Sequence, residues 1–137
     1  MDPADWQIVR EAPLFAALSR EVMEDLAESH GARVYEKGTL LFEQGTPIDH
    51  FYVVLDGWVK VFRATPDGAE IVVHLFRRGE TFAEAGIFMG GRYPVSAETA
   101  TTCRLLRISG RRLRDRLLTT PDLALAMLAS TSQHLKV

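Results

Sequence analysis

The residues with chemistry to offer are concentrated in one stretch, Thr81-Phe82-Ala83-Glu84-Ala85-Gly86-Ile87-Phe88-Met89-Gly90-Gly91-Arg92-Tyr93-Pro94-Val95-Ser96-Ala97. It fits neither a strand nor a tight turn. Ala83–Met89 reads as one or two helical turns, released by Gly90-Gly91. At the start of such a turn the backbone N–H groups of Ala85 and Gly86 lack helical partners and suit an anion. Glu84 beside them carries a carboxylate able to accept hydrogen bonds from a sugar hydroxyl. Its plainer role is to favour the start of the turn electrostatically, and the residues alone leave both roles open.

Catalytic chemistry finds little support. The histidines are His30, His50, His74 and His134, too dispersed in sequence for the two or three imidazoles and a carboxylate of a metal oxygenase to be read from spacing. No Gly-x-Ser-x-Gly, His-Glu-x-x-His or phosphate-loop pattern is present. Cys103, the single cysteine, cannot form an internal disulfide, a four-cysteine zinc site or an iron–sulfur centre on its own. It reads as a small buried hydrophobe. A non-enzymatic binding domain without a metal site is the expectation.

The elements that position this stretch follow from pattern. The chain has 137 residues, 47% of them hydrophobic, enough for one domain with its own core. It lacks an apolar run of about 18 residues, and Met1–Arg10 lacks the basic-then-apolar order of a signal peptide. A cytoplasmic domain is therefore expected. A net charge of −2 gives no bulk reason to bind nucleic acid. The run Arg104, Arg107, Arg111, Arg112, Arg114 and Arg116, interrupted by Leu113, Leu117 and Leu118, reads as a solvated helix face.

Residues 1–31 read as a helical segment. Trp6–Glu11 forms a short helix, and Ser19 caps a second that runs to about His30, with Gly31 as its stop. Residues 32–108 change to short β segments punctuated by glycine. Seven strands are expected: Ala32–Glu36, Leu40–Glu43, Phe51–Leu55, Trp58–Arg63, Ile71–Phe76, Val95–Thr101 and Arg104–Ile108. Asp56-Gly57 marks a two-residue hairpin, and Pro66-Asp67-Gly68 a turn. This spacing predicts an antiparallel β-roll or sandwich. Residues 109–137 return to helix: Ser109 precedes one running to about Leu118, and Thr120-Pro121-Asp122 opens a second. The last helix has no stop signal before Val137.

These features together resemble the sensor domain of the Crp–Fnr transcription regulators, built on the cyclic-nucleotide-binding fold, from Leu14 to the C-terminus. The carriers are Gly38…Gln44-Gly45, Phe51-Tyr52-Val53-Val54-Leu55-Asp56-Gly57-Trp58-Val59-Lys60-Val61, Gly79-Glu80-Thr81-Phe82-Ala83-Glu84 and the Pro121 helix. The resemblance implies a jelly-roll-type β-roll with a phosphate-cassette-like insert at 81–97. It implies a ligand set of Phe82, Glu84, Ala85, Gly86, Arg92, Val95 and Ser96. Glu84 matches the glutamate that takes a ribose hydroxyl in cyclic AMP binders, and Gly86 falls among the residues whose backbone holds the phosphate.

Those binders place an arginine and then a small hydroxyl residue where this sequence has Pro94 and Val95. Proline supplies neither charge nor N–H. Losing a charge-assisted hydrogen bond costs roughly 1.5–3 kcal/mol, or about 10- to 150-fold in affinity. Arg92 compensates only if the loop is redrawn. Thr81-Phe82-Ala83-Glu84-Ala85 with Tyr93-Pro94-Val95 is most similar to the dissimilatory nitrate respiration branch, associated with nitric oxide and haem. Under that alternative His74, flanked by Val72 and Phe76 on its strand face, is the candidate axial ligand. Its plainer reading is a packing or surface histidine.

The resemblance further implies a homodimer built on the last helix, here only its beginning. DNA contact would come from a helix–turn–helix outside these residues, with no membrane partner. The fragment alone is expected to be monomeric or weakly associated. A ligand-free interaction module is the reading from another class.

Overall fold

The computed structural model describes residues 2–83, 86–87 and 90–135. It opens with helix α1, Pro3–Glu11, whose first turn is capped by Asp2 accepting from the Ala4 N–H at 2.7 Å. A 3-10 turn over Pro13–Phe15 leads to α2, Arg20–Leu26. Ser19 caps α2 as expected, its Oγ accepting from the Val22 N–H at 3.2 Å.

Helix α2 ends earlier than its local pattern predicts. Ala27–Tyr35 is strand β1, paired antiparallel to β8, Cys103–Ser109, from Ala27 opposite Ile108 to Tyr35 opposite Cys103. The ladder satisfies the backbone that a longer helix would have satisfied locally, so tertiary pairing overrides propensity. The register shifts between Ala27 and Ala32, where the sequence places its helix stop.

The remaining strands are β2 (Leu40–Phe42), β3 (His50–Asp56), β4 (Trp58–Ala64), β5 (Glu70–Arg77), β6 (Thr81–Phe82) and β7 (Ser96–Thr99). They form two antiparallel four-stranded sheets, ordered β1-β8-β3-β6 and β2-β7-β4-β5. The expected β-roll with flanking helices is the observed fold. Strand β6 is an addition, a two-residue pairing of Thr81 and Phe82 with Val53 and Tyr52.

Two apolar clusters hold the layers together. Strand β3 serves both, because successive side chains point to opposite faces. Phe51, Val53 and Leu55 join Val9, Phe15, Leu26, Leu106 and Ile108 beneath the helices. Tyr52 and Val54 turn inward to meet Phe42, Val59, Phe82, Tyr93 and Leu105 between the sheets. Ile48 and Ala83 pack against both clusters.

After β8 come α3, Gly110–Thr119, capped by Ser109, and α4, Pro121–Leu135. Leu113 of α3 and Met127 of α4 are buried in the helix-side core, and α4 runs beside the Pro13–Phe15 turn. The arginine run is more than a solvated face. Arg104 pairs with the buried Asp5 at 2.7 Å and Arg116 with Asp25 at 2.9 Å, while Arg112 donates to the Asp25 carbonyl. These ties fasten β8 and α3 to the N-terminal helices.

Candidate functional site

Strand β6 delivers the chain into the insert, and β7 takes it back into the sheet. At Gly86–Ile87 the backbone is helical, and the Gly90 N–H donates to the Gly86 carbonyl at 2.8 Å, closing one turn. Glu84 and Ala85, both expected in the ligand set, lie outside the described residues. Ala83 just before them sits at φ 72°, a left-handed conformation costing a non-glycine residue about 1–2 kcal/mol. Such strain persists where the surroundings impose it, often at ligand sites.

The segment 90–94 is laced to the loop 45–48. The Gly45 N–H donates to the Tyr93 carbonyl at 2.8 Å, the Tyr93 N–H to the Thr46 carbonyl at 2.9 Å, and the Ile48 N–H to the Gly91 carbonyl at 3.1 Å. Pro47 and Arg92 form an isolated antiparallel bridge, and Arg92 Nη1 donates to the Gly45 carbonyl at 2.9 Å. Gly90-Gly91 thus leads into a loop with a defined path.

Beneath the insert lies a cavity of about 350 Å³. Phe82, Gly86, Arg92 and Val95, four of the expected ligand residues, line it. Ser96 does not; it is buried, its Oγ accepting from the Gln44 N–H at 2.8 Å. The sequence reading missed Phe42, Ile48, Val61 and Phe76, which complete the wall with Tyr93 and Pro94. The inward alternation of β2, β4 and β5 was the signal for three of them. Pro94, which by the sequence resemblance replaces an arginine, is among the lining residues.

His74 falls elsewhere. It is exposed on β5, its ring tilted against Phe76 at 4.4 Å, and it is not among the cavity-lining residues. Its expected face partner Val72 is 52% exposed, because β5 is an edge strand. Among the described lining residues none is a histidine, cysteine or methionine, and the one phenol, Tyr93, has its hydroxyl engaged on the His50 carbonyl. Nor do the described residues contain a cluster of three metal-binding side chains.

Tyr93 joins the cavity to the outer layer. Its ring stacks on Phe42 with centroids 3.9 Å apart, and its hydroxyl donates to the His50 carbonyl at 2.8 Å. The same oxygen lies 3.3 Å from Asp49 Oδ1, which is 2.9 Å from His50 Nδ1. Arg107 Nη2 stands 3.0 Å from that nitrogen. Burial opposes ionisation of Asp49, but hydrogen bonds from His50 and Tyr93 and the charges of His50 and Arg107 outweigh it and lower its pKa.

On the phenols burial acts in the same sense and prevails, over the Arg107 charge at Tyr52 and over backbone hydrogen bonds at Tyr93. Tyr52 and Tyr93 are both held above the usual tyrosine range because the phenolate would lose its water. The unfolded chain therefore ionises these groups first. Stability is expected to be unaffected by them up to about pH 10 and to fall above it, by about 1.4 kcal/mol for each unit of upward displacement. Urea unfolding at pH 9 and pH 11 measures the loss, and Tyr52→Phe should remove part of it.

A family model described as cyclic nucleotide-binding domain matches residues 32–120. The chain belongs to that family.

Within it, this cyclic nucleotide-binding domain is of the Crp–Fnr sensor type. It is similar to a proposed cAMP-binding regulatory protein from Silicibacter pomeroyi DSS-3, at 36% identity and TM-score 0.86, over 98% of this chain and 62% of that one. It is also similar to the sensor domain of the transcriptional regulator DNR from Pseudomonas aeruginosa, at 32% identity and TM-score 0.77, over 94% of this chain and 87% of that one. The CRP-like cAMP-activated global transcriptional regulator of Mycobacterium tuberculosis is 25% identical over 95% of this chain and 58% of its own length. The chain thus spans little more than half of that curated relative. No helix among the described residues is long and apolar enough to cross a membrane.

Proposed function

We propose that this domain is the effector-sensing part of a Crp–Fnr-type transcription regulator, acting in the cytoplasm without catalysis. The observation that carries the reading is the cavity beneath the insert, walled by Phe82, Gly86, Arg92 and Val95 from the segment that matches the family's phosphate cassette. A small effector enters there, contacted by the cassette residues Glu84, Ala85 and Gly86. The buried Ser96 supports the wall from behind by fixing Gln44. Pro94 removes the arginine contact to a cyclic phosphate, so tight cyclic AMP binding is not expected.

Relay to the output is supported by ties between the insert and the C-terminal helices. Arg114 of α3 donates to the Ile87 carbonyl of the insert at 2.9 Å. The Gly110 N–H donates at 3.0 Å to the carbonyl of Asp49, whose carboxylate lies 3.3 Å from the hydroxyl of Tyr93 in the insert. A ligand that shifts the insert pulls on α3, and α4 follows it directly in the chain. The two states differ in how α4 packs, and this bias is read out by a homodimer and a DNA-binding helix–turn–helix beyond these residues. Haem, the alternative effector, lacks support because His74 stands away from the cavity wall.

The test is a reporter assay in the full-length regulator. Combined Glu84→Ala and Arg92→Ala is expected to abolish its ligand-dependent response while the protein stays folded. An unchanged response would overturn the assignment. A thermal-shift screen in which no compound stabilises the protein would point instead to a ligand-free interaction module.

A further inference from the structure

We infer that the cavity selects a flat, largely apolar carboxylate, an aromatic acid whose rings lie against the aromatic wall and whose carboxylate meets Arg92. The inference rests on the effector-pocket reading above and gives it a ligand class.

The wall sets the first half of the class. Phe42 and Tyr93 stack at 3.9 Å, Phe76 and Phe82 at 5.3 Å, and Phe42 and Phe82 stand 6.2 Å apart. Val61 and Val95 complete an apolar lining of about 350 Å³, at the small end of ligand pockets. A ligand rich in hydroxyls would bury them against carbon, and each unsatisfied polar group carries a penalty. Flat rings gain contact with the same surface and leave nothing unpaired.

Arg92 sets the second half. It is the sole charged side chain among the described residues that line the cavity, and it is exposed, which places it at the rim. One of its five N–H groups is used on the Gly45 carbonyl at 2.9 Å, leaving donors in a planar fork suited to a carboxylate. Its backbone is held by the bridge to Pro47 and by the Tyr93 N–H on Thr46, so the fork is anchored before a ligand arrives. Among the described residues the rim therefore offers one positive charge above an apolar interior, the complement of an aromatic acid.

Calorimetric titration of the 137-residue protein with 2-naphthoate, its neutral analogue 2-naphthamide and cyclic AMP tests the class. Naphthoate is expected to bind at least tenfold tighter than either of the others. Arg92→Gln should weaken naphthoate about tenfold or more and leave naphthamide unchanged, while Val95→Trp, which fills the cavity, should abolish both. Circular dichroism and thermal melts establish that each variant is folded. Absent naphthoate binding, or naphthoate affinity indifferent to Arg92→Gln, would overturn the aromatic-acid class. Cyclic AMP bound as tightly as naphthoate or tighter, and lost in Val95→Trp, would overturn that class while leaving the effector pocket standing. Naphthoate bound equally by wild type and Val95→Trp would place it outside the cavity and overturn the inference, and an intact effector response in full-length Val95→Trp would overturn the pocket as well.

Discussion

Phe51→Ala is expected to lower the unfolding free energy by about 3–5 kcal/mol, the usual range for removing a fully buried aromatic ring. Phe51 has no exposed surface and stacks on Phe15 with centroids 5.8 Å apart. The ring joins the turn between α1 and α2 to the centre of the sheet. Its loss leaves a cavity bounded by two elements that cannot both collapse onto it. A domain of this size has only about 5–15 kcal/mol in hand, so the variant should unfold at a much lower urea midpoint with an unchanged slope. Phe51→Leu should retain much of what Phe51→Ala loses. If Phe51→Ala unfolds at the wild-type midpoint, the ring is not the joint described here.

Gly57→Ala is expected to cost about 2–5 kcal/mol, from two separable sources. Gly57 sits at φ +92°, where a side chain is strained regardless of space. A Cβ there would also stand 2.6 Å from the Thr102 carbonyl oxygen and 2.8 Å from Cys103 Sγ. The carbonyl is backbone and cannot swing aside. Gly68 separates the sources: its φ is +88°, yet nothing lies within 4 Å of its would-be Cβ. Gly68→Ala should carry only the conformational part, about 1–2 kcal/mol. Equal losses in the two variants would show that the crowding at Gly57 is without effect.

The same glycines explain why parts of the fold were legible in the sequence. Positive φ was read correctly at both turns, and Pro66-Asp67-Gly68 closes the β4–β5 hairpin. Asp56-Gly57, expected to close a two-residue hairpin, is instead a corner that carries the chain from β3 in one sheet to β4 in the other. The helix that begins at Pro121 announces itself by cap and proline. The end of α2 was not legible. Ala27 becomes strand because Ile108 lies opposite it, a pairing between distant parts of the chain that no local window contains. Strand β6 was missed because two residues carry no periodicity of their own.

The site divides along the same line. Phe82, Gly86, Arg92 and Val95 were found because they fall in one anomalous stretch. Phe42, Val61 and Phe76 arrive from three strands, and which of their faces turns inward depends on the order β2-β7-β4-β5. His74 misled for a related reason. Alternation placed it with Val72 and Phe76, but the register shift opposite Val61 and Phe62 parts His74 from Val72. In addition β5, an edge strand, pairs on one side only and leaves His74 exposed. The arginines of β8 and α3 looked solvated because their acceptors, Asp5, Asp25 and Ile87, lie elsewhere in the chain.

Strand β3, buried on both faces and paired on both edges by β8 and β6, is enclosed on four sides. Its paired amides can meet deuterium only when the whole domain opens, which makes their exchange rate a clock for global unfolding. None of its residues lines the cavity. An effector at a hundred times its dissociation constant should nevertheless slow that clock by about a hundredfold, and so announce itself at a strand it never touches.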